Sequence, residues 1–89
     1  MTSIHDLHDI ASLLGVELRH HNGLPKGWYS PSLRVISTMR DMAVWDYKTT
    51  LARELGHAFH SLAIDLEVTP HILEIYLKER PHILKELAA

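Results

Sequence analysis

The sequence predicts one α+β domain spanning residues 1–89. It has an N-terminal helix, a small twisted antiparallel β-sheet, a long central helix and a C-terminal helical hairpin. Three observations carry this. Apolar residues recur at helical spacing in the first 14 positions and again beyond position 41. The stretch between them alternates polar and apolar residues, is rich in aromatic and β-branched side chains, and is broken by Gly and Pro. Finally, a chain of 89 residues holds only one core. It divides into a helix–sheet–helix part, 1–62, and the C-terminal helices, 63–89.

The first helix places Ile4, Leu7, Ile10, Ala11 and Leu14 on one stripe. Ser3 caps it, with Asp6 three positions on as the capping-box acid, and Gly15 stops it. Val16-Glu17-Leu18-Arg19 alternates as a strand does, and His20-His21 opens the turn that runs through Asn22-Gly23 and Leu24-Pro25-Lys26-Gly27. Trp28-Tyr29 and Leu33-Arg34-Val35-Ile36-Ser37 form two further short strands around Ser30-Pro31, completing a meander. From about Asp41 to Leu62 the helical period returns: Leu51, Leu55, Phe59 and Leu62 form one stripe, flanked by Val44, Lys48, Ala52 and Ala58. Thr69 caps the next helix and Pro70 sits in its first turn; Ile72, Leu73, Ile75, Tyr76 and Leu77 make it apolar. Arg80-Pro81 interrupts it, and Ile83, Leu84 and Leu87 form a last turn or two.

Composition narrows the function. There is no cysteine, which excludes disulfides, thiolate zinc sites and a thiol nucleophile. At 46% hydrophobic and 22% charged the chain is a globular domain. Its net charge of −2 argues against a general clamp on nucleic acid. No run is long enough for a transmembrane helix, and the start MTSIHDLHDIASLLG lacks a basic n-region and a long apolar stretch. A cytoplasmic protein with no membrane partner is expected. The unusual count is eight histidines, the commonest metal-ligating residue type.

Most of the eight have ordinary explanations. His5 and His8 lie off the apolar stripe of the first helix, on its solvated face. His20 and His21 open a turn, and His71 and His82 follow the helix-start pattern at Pro70 and Pro81. His57 and His60 differ. At about 100° per residue they share a polar face with Arg53, the three lying within roughly 60° of one another, with Glu54 and Ser61 beside them.

The segment Thr50-Leu51-Ala52-Arg53-Glu54-Leu55-Gly56-His57-Ala58 carries the chemical signal. A zinc peptidase helix uses His-Glu-x-x-His: two imidazoles one turn apart hold the metal, and the Glu is general base to its water. Around this motif the chain resembles the ImmA/IrrE-type metallopeptidases of phages and mobile elements, which carry a T-L-A-H-E-L-G-H-A-like run. The Gly-Trp-Tyr-Ser-Pro … Arg-Val-Ile stretch is similar to the sheet that precedes it in that family, and the match covers roughly residues 3 to 61. The resemblance implies zinc-dependent cleavage of a repressor-like protein, with Glu54 as the catalytic base and His57 as the second zinc ligand. It also implies an acidic third ligand on a later helix, for which Asp65, Glu67 and Glu74 are the candidates.

Position 53, where that family has its first ligand, is Arg. A catalytic zinc needs three protein ligands, and a guanidinium does not give up its proton to coordinate. Two substitutes exist: His60, one turn beyond His57, as second imidazole, or Glu54 and His57 as a Glu-x-x-His pair. The plain alternative is a solvated helix face on which Arg53 pairs with Glu54 or Asp46. The expectation is a metallopeptidase-like protein with an impaired site, zinc weak or absent, that binds a regulatory protein partner. The runner-up class is a non-enzymatic interaction module such as a small phage-type regulator or inhibitor, and the enzymatic alternative is an active zinc endopeptidase using Glu54, His57 and His60. The third reading is a small non-enzymatic regulator that binds DNA through residues 63–80. That region resembles a helix–turn–helix, but its second helix offers few base-reading side chains, which favours a structural hairpin. Trp28, Tyr29 and Trp45 are expected in the core, the other reading being an exposed aromatic patch for a partner.

Overall fold

The computed structural model describes residues 4–79. Its elements are α1 (Ile4–Leu13), β1 (Glu17–His21), β2 (Gly27–Ser30), β3 (Val35–Met39), α2 (Val44–Asp65) and α3 (Pro70–Glu79). The α+β class is as the sequence predicts. The expected cap at Ser3 and everything from Arg80 onward, including Ile83, Leu84, Leu87 and His82, lie outside the described residues.

Helix α1 ends as its sequence dictates. Gly15 takes a positive φ of 69°, and the Val16 amide donates to the Ala11 carbonyl at 2.9 Å, closing a Schellman turn. The same turn ends α2, where the Val68 amide donates to the Ala63 carbonyl at 3.0 Å. There the left-handed position is Glu67, with φ 56°. The start of α2 departs from expectation by one turn: Asp41 adopts φ 62° and the helix opens at Val44 without a side-chain cap. At α3 the Thr69 hydroxyl accepts from the Ile72 amide at 3.2 Å, the cap the sequence predicts.

The sheet is mixed rather than antiparallel throughout. Its order is β1-β3-β2, with β1 parallel and β2 antiparallel to β3. The expected meander placed successive strands side by side. Instead β3, the last strand in the chain, takes the centre. Its residues Val35, Ile36, Ser37 and Thr38 are all buried, as befits the strand with neighbours on both edges. The β1–β2 link, residues 22–26, spans the width of the inserted strand, two strand spacings or about 9.6 Å.

Both α1 and α2 pack on one face of this sheet. The core gathers Leu7, Ala11 and Leu14 of the first helical segment, Ile36 of β3, Leu51, Leu55 and Leu62 of α2, and Leu73 of α3. One close approach sets the distance between α2 and the sheet. A Cβ on Gly27 would lie 2.5 Å from Cγ2 of Thr50, so only glycine admits the helix at this depth. The buried hydroxyls of β3 are both satisfied, Ser37 by His21 and Thr38 by His20.

Candidate functional site

Helix α2 carries the Arg53-Glu54-Leu55-Gly56-His57 motif across the end of β2. Thr50, Glu54 and Ala58 follow one another at single-turn intervals and are all buried. Glu54 is therefore not beside the polar face, as the helical wheel suggested, but 8% exposed and turned toward the sheet. A Cβ on Gly27 would stand 3.4 Å from its Cγ. Its carboxylate oxygen Oε1 lies 3.8 Å from Arg53 Nε, one of the two pairings foreseen for that arginine. The other is taken: Asp46 accepts from Lys26 at 2.9 Å, which fastens the β1–β2 link to the first turn of α2.

His57 is exposed, one turn from Arg53. His60 is also exposed, its ring edge-on to Phe59 with centroids 6.0 Å apart. It lines an open groove of about 320 Å³ between α1 and α2, together with Leu7, Ile10, Ala52, Leu55, Gly56 and Phe59.

These positions bear on the zinc that the resemblance implies. Among the described residues no three His, Asp or Glu side chains converge as a metal-holding group. Of the third-ligand candidates, Asp65 ends α2, Glu67 occupies the turn after it, and Glu74 accepts from Lys78 at 3.0 Å. The Lys78 ammonium, through that hydrogen bond and its charge, holds the Glu74 carboxyl below the usual range. With Arg53, which cannot coordinate, at the first-ligand position as well, the described residues do not bring together the three protein ligands a catalytic zinc needs.

Two histidine groupings escaped the sequence reading. His8 Nε2 lies 3.1 Å from the Tyr47 hydroxyl, and the His20 ring faces the same tyrosine at 6.3 Å while its Nδ1 meets Thr38 Oγ1 at 3.1 Å. Tyr47 thus links α1, β1 and α2, and burial raises its pKa above 10.0. On the opposite face of the sheet, His21 meets Ser37 Oγ through Nδ1 at 2.7 Å and the Pro25 carbonyl through Nε2 at 2.6 Å. The carbonyl only accepts, so Nε2 carries the proton and donates, leaving Nδ1 to accept from the serine hydroxyl. The ring stacks on Trp28 with centroids 6.2 Å apart. Here a serine, a histidine and an orienting acceptor are aligned, but Ser37 is buried at 2% exposure, so the set clamps the 22–26 link instead of meeting a substrate. Residues so far apart in sequence gave no local signal of either grouping.

The aromatic expectation also needs correction. Tyr29 packs against the core, but Trp28 is 39% exposed and Trp45 71% exposed. Trp28 points to the sheet face that α1 and α2 leave open, and Trp45 lies on the first, solvent-facing turn of α2 beside Val44, also exposed. No family model, curated protein or solved structure matches this chain.

Proposed function

We propose that this is a metallopeptidase-like protein of the ImmA/IrrE type, of phage or mobile-element kind, that has lost its catalytic zinc and acts by binding a regulatory, repressor-like protein. The observation that carries the reading is the placement of the Arg53-Glu54-Leu55-Gly56-His57 helix. Helix α2 packs against the sheet beside β2, as the resemblance implies for the motif helix, and an arginine stands where a ligand would be. The Arg53 guanidinium supplies a positive charge 3.8 Å from the Glu54 carboxylate, which in a zinc enzyme would face the metal's water. Among the described residues strand β2 is bonded to β3 on one side only, which leaves its other edge to receive an extended segment next to α2. Binding without cleavage is then the activity the residues support.

Metal analysis of the purified chain tests this. The wild-type protein is expected to hold well under one zinc per chain, and Arg53→His to gain zinc. Stoichiometric zinc in the wild type that disappears on His57→Ala would overturn the proposal in favour of an active peptidase.

A further inference from the structure

We infer that the solvent face of α2, from Trp45 to Ile64, docks an acidic amphipathic segment of a protein partner, with an apolar side chain seated over Gly56 and carboxylates against Arg53, His57 and His60. The inference rests on the protein-binding reading above and names the chemistry of the partner.

The face is built unlike the rest of the molecule. At about 100° per residue, Trp45, Thr49, Arg53, Gly56, His57, His60 and Ile64 fall within an arc of roughly 120°. All seven are exposed, and none is acidic. The acid nearest in sequence, Glu54, is turned away into the sheet, and Asp46 is engaged by Lys26. Arg53 approaches Glu54 through Nε, its side chain is 60% exposed, and its two terminal nitrogens meet no acceptor among the described residues. Arg53 is thus paired with Glu54 on one side only and keeps its terminal nitrogens open to solvent, on a chain whose overall charge is −2.

Beside them the face is apolar and indented. Nothing lies within 4 Å of where a Cβ on Gly56 would stand. The groove there is lined by Leu7, Ile10, Ala52, Leu55, Gly56 and Phe59, with His60 at its edge. Glycine is a poor helix former, and at this position the missing side chain leaves the groove open at its midpoint. Trp45 and Ile64, 71% and 75% exposed, stand at the two ends, roughly 28 Å apart along the helix. An apolar indentation edged by an open guanidinium and two exposed imidazoles, all hydrogen-bond donors to a carboxylate, matches the apolar stripe and acidic flank of an amphipathic helix. A second copy of the chain does not fit, because the seven exposed residues of its own face include no acid to meet Arg53. Nucleic acid does not fit either: one arginine on an apolar face neutralises too few phosphates.

The test uses the isotope-labelled full chain and two synthetic helical peptides of about 18 residues with identical leucine stripes, one with glutamate and one with lysine on the polar face. The Leu/Glu peptide is expected to shift the amide resonances of residues 52–60, and the Leu/Lys peptide to leave them unmoved. Arg53→Glu should weaken the Leu/Glu peptide by about tenfold or more, since it reverses the central charge. Gly56→Leu, which fills open space, should abolish binding while resonances of the sheet stay in place. Equal binding of the two peptides, indifference to either substitution, binding of neither peptide, or occupation of the same face by a short DNA duplex would each overturn the inference. Zinc analysis of the same samples separates the two claims. Stoichiometric zinc with the Leu/Glu preference intact refutes the loss of the metal alone, whereas a metal-free chain without the preference refutes this inference alone.

Discussion

At the scale of single residues, the structure turns on where backbone conformation and side-chain type agree. Gly15 and Glu67 occupy the same left-handed position in two Schellman turns, but only the first is glycine. An L-residue in that conformation costs about 1–2 kcal/mol through the clash of Cβ with the following carbonyl. Glycine removes the clash and adds back about 0.5–1 kcal/mol of unfolded-chain entropy. Glu67 is exposed and forms no side-chain hydrogen bond or ion pair among the described residues, so nothing compensates it. Glu67→Gly should therefore stabilise the protein by about 0.5–1 kcal/mol, seen as a higher urea midpoint at unchanged slope. A lower midpoint would mean that the carboxylate contributes something the turn geometry does not reveal.

Between elements, the contact that positions the candidate site is Gly27 against Thr50. It brings α2 close enough to the sheet for Glu54 to be buried, so packing here and the placement of the carboxylate are one event. Gly27→Ala places a methyl 2.5 Å from Thr50 Cγ2 and forces α2 outward. Overpacking of this kind typically costs about 1–3 kcal/mol. Thr50→Ser removes the opposing methyl, so the double variant should recover most of the loss, giving a coupling that a thermodynamic cycle in urea measures. Additive losses would show that the two residues do not meet. The same contact marks the limit of what the sequence could say. Each helix and strand was legible, because capping residues and apolar periodicity act within a few positions: Gly15, Thr69 and Pro70 end or begin helices where expected. Strand order was not, since it depends on which strand takes partners on both edges, and that pairing joins residues far apart in sequence. The motif residues were identified by their pattern, but Glu54 was assigned to the wrong side of α2. A helical wheel drawn around the Leu55, Phe59 and Leu62 stripe does not know that a glycine in β2 lets the sheet cover the next strip. His8, His20 and Tyr47 come from three elements and had no common signature at all.

Across the whole molecule, that trio is the point where α1, the sheet and α2 are tied by polar contacts in addition to the apolar core. The Tyr47 hydroxyl reaches His8 on α1, its ring faces His20 on β1, and its backbone belongs to the second turn of α2. Burial opposes the charged form of a phenol, which is why its pKa is raised above 10.0 in the folded chain. The sign of the effect on stability follows from proton binding. Above pH 10.0 the unfolded chain loses the phenolic proton while the folded chain keeps it, so the folded state binds more protons and stability falls as pH rises. The contribution is intact below the unfolded value and lost as pH climbs through the higher folded one. Tyr47→Phe removes this ionisation and leaves the ring in place; it also gives up one partly exposed hydrogen bond, worth about 0.5–1.5 kcal/mol at neutral pH. The wild type should therefore start out more stable and lose that lead as the solution becomes alkaline, so that the urea midpoints of the two proteins converge above pH 10.0. Parallel midpoints across that range would show that Tyr47 ionises as readily in the folded chain as in the unfolded one, and that the junction of α1, β1 and α2 is open to water.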